Sequence, residues 1–97
     1  MASYIILANF TDQGARAIKE TVQRAEAAQK LGAEHGVSVK SLHWTLGQYD
    51  IVMEVDAKDE ASLAAFGLSV ASLGNVRMQT LRAFTADEMK ANIAKMR

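Results

Sequence analysis

Asn9, His43 and Glu54 are the residues of this chain that could carry proton chemistry together. Each lies in a short β-rich segment, on the side of its strand where polar and apolar residues mix. A histidine beside a carboxylate can shuttle protons near neutral pH. The structural alternative is that the three hydrogen-bond one another, or a second chain, as buried polar groups must. Arg82 is a fourth candidate, able to receive a ligand carboxylate or to pair with an acid at an interface rim. Trp44 could line a pocket or pack in the core, and Asp50, after the hairpin turn with Tyr49, is placed to bond turn amides.

Other chemistries lack their residues. There is no cysteine, which removes disulfides, thiolate metal sites and thiol nucleophiles. Two histidines without a carboxylate constellation do not make a metal site, and His35 belongs to a different element from His43. Gly14, Gly32 and Gly36 lack Rossmann or P-loop spacing, and Gly-x-Ser-x-Gly is absent. No cofactor and no metal are therefore expected.

The elements that position these residues follow from periodicity. Tyr4 to Phe10 is a buried first strand, broken by Thr11, Asp12 and Gly14, with Thr11 or Asp12 capping a helix. Ala15, Ile18, Val22, Ala25, Ala28 and Leu31 then form one stripe at three- and four-residue steps. His35 sits in the last turn of that helix, and Gly36 suits the left-handed position beyond it. Val37 to Leu46 and Asp50 to Ala57 are two strands, with Gly47-Gln48 read as a type II′ turn. Asp59 caps a second helix carrying Leu63, Phe66, Val70 and Leu73, with Gly67 marking a close backbone approach. Val76 to Phe84 is the fourth strand. Thr85 and Glu88 form a capping box for a terminal helix whose stripe of Met89, Ile93 and Met96 packs on this domain or a neighbouring subunit.

The order βαββαβ plus a helix is the split βαβ arrangement of a ferredoxin-like α+β sandwich. Right-handed crossovers put both main helices on one face of an antiparallel sheet of order 4-1-3-2. Strand parity assigns Tyr4, Ile6, Ala8 and Phe10, with Ile51, Met53 and Val55 and with Leu42, Trp44 and Leu46, to the covered face. The other face carries Ile5, Leu7, Val39 and Val52 among Asn9, Ser41, His43 and Glu54. That surface is too apolar for a water-facing sheet, and a second copy is its simplest cover. Lys40, Arg77 and Arg82 on the edge strands discourage open-ended sheet growth.

The 97 residues are the length of one domain, 1–97, with no proline and no repeat to mark a linker. Eleven basic residues balance eleven acidic ones. Such neutrality argues against nucleic-acid or anionic-membrane partners and resists self-association little. The first apolar run, Tyr4 to Ala8, is too short for a signal peptide or a membrane span, so a cytoplasmic location is expected.

Three blocks carry a family resemblance. They are Tyr4-Ile5-Ile6-Leu7 through Phe10-Thr11-Asp12-Gln13-Gly14, the hairpin Trp44-Thr45-Leu46-Gly47-Gln48-Tyr49-Asp50, and Ser72-Leu73-Gly74-Asn75-Val76-Arg77 with Thr80-Leu81-Arg82-Ala83-Phe84-Thr85. As a set they resemble the GYD family of small, mostly bacterial proteins. The resemblance implies the dimeric α+β barrel group, in which two sheets pack face to face, and implies no particular activity. Members often carry Ser-Pro where this chain has Thr21-Val22, so here the first helix is expected to run on unbroken.

Three functions fit these readings. One is a homodimer or higher homo-oligomer binding a small molecule between facing sheets, with Asn9, His43, Glu54 and Arg82 as its contacts. The second is a cofactor-independent enzyme of monooxygenase or isomerase type that uses polar residues of the sheet face, by analogy of fold. The third is a structural or regulatory partner domain.

Overall fold

The computed structural model describes residues 1–97, and its central element is the first strand. Strand β1 (Ala2–Phe10) lies between β3 (Ile51–Ala57) and β4 (Val76–Ala83), and β2 (Val37–Trp44) pairs with the outer edge of β3. All pairings are antiparallel and the order is β2-β3-β1-β4, the expected 4-1-3-2. Two longer helices, α2 (Thr21–Glu34) and α3 (Glu60–Ser72), follow β1 and β3 and cover one face. This is the ferredoxin-like α+β arrangement.

Alternation decides which side chains that layer buries. Tyr4, Ile6 and Ala8 of β1 meet Ile51, Met53 and Val55 of β3 beneath Phe66 and Val70 of α3, with Val37 and Ala57 completing the core. Phe66 is fully buried. The caps hold as read: Asp59 accepts from the Ser62 amide at 2.7 Å, and Thr85 and Glu88 bond reciprocally at the head of α4 (Ala86–Ala94). Gly36 takes φ +77° after α2, where a side chain would be strained. His35 Nδ1 lies 2.9 Å from the Leu31 carbonyl, closing the last turn.

Several local expectations need correction. The first helix does not run on. A five-residue α1 (Asp12–Arg16) gives way to a 3₁₀ turn at Ile18–Glu20 before α2 begins at Thr21. No proline is needed: the Arg24 guanidinium donates to the Gly14 carbonyl at 3.2 Å and to the Ala17 carbonyl at 2.8 Å, the latter also accepting from the Glu20 amide at 3.0 Å, and so braces the break. The phase slip leaves Ile18 and Val22 largely exposed, while Ala25, Ala28 and Leu31 stay on the sheet side.

The second correction concerns strand β2. A bulge at Lys40 shifts the register between Val39 and Ser41, so Val39 sits opposite Val55 and packs against the core. Simple alternation placed it on the other face. Third, the hairpin is not a two-residue turn. Thr45 N donates to Asp50 O at 2.8 Å and encloses a four-residue loop, with Gly47 at φ +116° and Leu46 fully exposed. Asp50 does not bond the turn amides. Its carboxylate accepts from the Phe10 amide at 2.9 Å and ties the loop to β1.

Fourth, no backbone approaches Gly67, where a Cβ would meet nothing within 4 Å. Fifth, Trp44 is not a core residue. It is 42% exposed, and its indole donates to Thr21 Oγ1 at 3.0 Å, bracing β2 against the start of α2.

Candidate functional site

The sheet face turned away from α2 and α3 holds most of the sequence-predicted site residues. Register places its side chains in rows across the strands. Asp56, Ser3 and Ala83 form one row, and Ser41, Glu54, Ile5 and Leu81 the next. His43, Val52, Leu7 and Gln79 follow, with Asn9 opposite Arg77 at the far end. The centre is thus Ile5, Leu7, Val52 and Leu81, and the surround is polar. Nothing in the chain covers it. Leu81 stays 40% exposed, and the three β-branched or leucine neighbours inward of it are only half-buried.

Asn9, His43 and Glu54 share this face but do not converge. Neighbouring strands lie about 4.8 Å apart, so Asn9 on β1 and His43 on β2 are separated by about 10 Å of sheet. Glu54 is a diagonal neighbour of His43, within reach of a long side chain. The chain's three ion pairs, Arg24–Glu20, Lys40–Asp56 and Arg82–Glu88, involve none of the three. Nor is any of them a buried polar group without a partner. A lone chain therefore presents polar groups on this face without an assembled acid–base pair.

Arg82 lies on the opposite face. It pairs across from Tyr4, its guanidinium sits 5.6 Å from the Tyr4 ring and 4.4 Å from the Phe84 ring, and it meets Glu88 at 3.5 Å. It also donates to the Ser3 carbonyl at 3.1 Å and to the Ala83 carbonyl. The acid it pairs with belongs to its own chain. Arg82 organises the β4–α4 junction and is not placed beside Asn9, His43 or Glu54.

Two contacts at the edges of the open face were not anticipated. Tyr49 reaches over from the hairpin loop and donates to Gln79 Oε1 at 3.1 Å, bounding a shallow dent with Leu7, Asn9 and Arg77. The signal was the loop length, which a two-residue turn hid. At the other end Ser3 Oγ donates to Asp56 at 2.9 Å, with Lys40 Nζ 3.3 Å from the same carboxylate. The Ser3 hydroxyl, helped by Lys40, holds the Asp56 carboxyl below its usual range. The Ser62 amide lowers Asp59, and the Thr85 amide lowers Glu88, with Arg82 assisting.

Each depressed carboxyl contributes stability at pH values above its unfolded pKa of about 4, and that stability is lost as pH falls through the lower folded value. The native chain should therefore lose thermal stability as pH drops below about 4. An Asp56→Asn chain should start less stable at neutral pH and fall less steeply over the same acid range. Melting curves read by circular dichroism check this, and parallel slopes for the two chains would refute the role given to Asp56.

A second concavity lies on the covered side. An apolar cleft of about 430 Å³ opens between α2 and α3, floored by Ala8, Ile51 and Met53 and walled by Ala25, Ala28 and Val70. Alanine is what keeps it open, since α2 presents short side chains where it faces α3. The polar groups at its mouth are Thr21, Arg24 and Asn75. Sequence alternation gave no sign of it. No helix is long and apolar enough to cross a membrane, and no group of three or more His, Asp or Glu could hold a metal ion.

Known proteins resemble both the sequence and this geometry. The chain is 35% identical over 94 residues to a Thermus thermophilus protein named "Glutamine synthetase and cystathionine beta-lyase binding protein", covering 96% of this chain and 99% of the relative. A crystal structure of a Thermus thermophilus protein superposes with a TM-score of 0.58 at 27% identity, over 89% of this chain and 96% of that one. The crystal structure of MtbAldR shares the fold, with a TM-score of 0.67 at 15% identity over 87% of this chain, which spans 52% of that longer protein. Residues 4–93 match the GYD domain, and the chain belongs to that family.

Proposed function

We propose that this chain is a homo-oligomeric protein-binding module, whose open sheet face is covered by a second copy and whose remaining surface receives enzyme partners. The uncovered face carries the reading. An apolar centre of Ile5, Leu7, Val52 and Leu81 inside a polar surround is the composition of an interface, and it exceeds what a water-facing sheet needs. Its charges favour a self-complementary contact. Glu54 and Arg77 sit on different strands toward opposite ends of the face, so a two-fold axis can bring each to the other on the facing copy. In that setting Asn9 and His43 supply hydrogen bonds within the covered layer.

The partner side rests on the relative's name. A protein called after its binding of glutamine synthetase and cystathionine beta-lyase shares 35% of its residues with this chain over 94 positions. We extend the same kind of role to this chain, with enzymes of amino-acid metabolism as the partners to try first. Purified chain immobilised on a sensor should bind at least one of these two enzymes saturably. Absence of binding to both at about 100 μM, a concentration that reports even weak complexes, would remove them as partners.

The 430 Å³ cleft favours a second reading, a compact apolar ligand held between α2 and α3 instead of between facing sheets. Native mass spectrometry of protein from its own cells would show the added mass. A bare chain mass would count against it.

A further inference from the structure

Helix α4 is built for a contact that its own chain does not make. Met89 and Ile93 of the helix and Met96 just beyond its end are 44%, 56% and 75% exposed. The junction that launches it is nevertheless well fixed. Arg82 stacks on Tyr4 and Phe84, pairs with Glu88, and the Thr85–Glu88 capping box closes the first turn. The helix is therefore held away from the domain as an arm. The dimensions agree: the molecule measures 51 × 30 × 18 Å, and its radius of gyration of 14.6 Å exceeds the about 12.5 Å of a compact domain this long.

A groove of matching character runs beside α3. Leu63, Ala64, Gly67, Leu68 and Ala71 form one wall, with Met78 of the edge strand β4 on the other. Its volume is about 580 Å³, and Leu68 is 72% exposed. Small residues at 64, 67 and 71 let a second helix approach closely. A Cβ at Gly67 would meet nothing within 4 Å. Glycine in a helix interior is unfavourable unless something needs that space. Charge agrees as well. Glu60, at the groove's end, is the one charged residue of α3, whereas Lys90 and Arg97 follow directly after Met89 and Met96.

The geometry points to arm exchange: the α4 stripe of one copy docks in the α3–β4 groove of another, with Ile93 packed over Gly67. The groove borders β4, an edge strand with no strand beyond it, so a neighbouring copy can reach it. This contact does not depend on pairing of the open sheet faces and uses different residues.

The absence of cysteine gives a direct test. Gly67→Cys chains are mixed with Ile93→Cys chains and oxidised gently. A covalent heterodimer joining the two variants is expected. A mixture of Ile93→Cys with Leu46→Cys, whose thiol lies on the exposed hairpin loop, is expected to give several-fold less. Equal yields from both mixtures would overturn the proposal. So would a Gly67→Cys, Ile93→Cys double variant that closes its disulfide within a single chain. A Gly67→Glu chain provides a second reading, since its added Cβ meets nothing within 4 Å in its own chain and glutamate replaces a poor helix former. It is expected to fold as the native chain does; Ile93→Cys and Leu68→Cys chains are expected to cross-link with Gly67 intact, Leu68 lining the same groove, and to lose that link when both also carry Gly67→Glu. Persistence of that link would also overturn arm exchange.

Discussion

Leu7→Arg and Leu7→Glu chains should each stay folded and lose the association proposed for the open sheet face, running at a lower mass than the native chain. Leu7 occupies the middle of the open face, with Val52 beside it on β3 and Gln79 on β4. Covering that position with a second copy would bury a charge among Ile5, Val52 and their counterparts. An unpaired buried charge costs about 3–5 kcal/mol, which weakens association by about a hundredfold or more. Using both signs removes rescue by Glu54 or Arg77 as an explanation. The fold itself should survive, because Leu7 points away from the core of Ile6, Met53 and Phe66. Light scattering with far-ultraviolet circular dichroism separates the two effects. Native mass in both variants would show that the sheet face is not the contact.

Gly14→Ala should be among the most damaging single changes to stability, although it adds only a methyl group. A Cβ at Gly14 would stand 2.0 Å from the Asn75 carbonyl oxygen, which is backbone and cannot rotate away. Relieving the clash means moving α1 off the loop between α3 and β4. That loop is bound by Thr11 N to Asn75 O at 3.1 Å, Thr11 Oγ1 to Gly74 O at 2.5 Å and Gln13 Nε2 to Leu73 O at 2.9 Å. Losing two or three such bonds at about 1 kcal/mol each, with the strain added, predicts a loss of about 2–4 kcal/mol. Denaturant melts measure it. A change below about 0.5 kcal/mol would mean the segment is far more pliable than its bonding implies.

The sheet was legible because its signals are local and repeated. Alternation in Tyr4 to Phe10 and Ile51 to Ala57 sorted their side chains correctly, and Asp59, Thr85 and Gly36 capped where their types require. Several failures arise where a side chain bonds outside its own turn or stripe, or where a local irregularity breaks the period. Arg24 ends α1 by reaching back to Gly14 and Ala17, which periodicity does not register. Asp50 serves β1 instead of its own turn. The Lys40 bulge moved Val39 to the covered face, because one inserted residue inverts all later parity.

The candidate site was legible by face and not by contact. Parity placed Asn9, His43 and Glu54 on one surface, where the structure also has them, but it carries no distance across strands. Arg82 was grouped with them on residue type alone. Its alignment with Tyr4 sends it to the other side, where it positions α4. The Tyr49–Gln79 bond and the cleft beside Ala25 and Ala28 depend on packing that appears only once strands and helices are set in space.

Sedimentation equilibrium of the native chain, followed through serial dilution, addresses the covered-face account most directly. The proposed pairing of open faces predicts a species of at least twice the 10.5 kDa of one chain at micromolar concentration, dissociating only on further dilution. A stably folded 10.5 kDa particle throughout that range would mean that Ile5, Leu7, Val52 and Leu81 meet water unaided, and the account would fail.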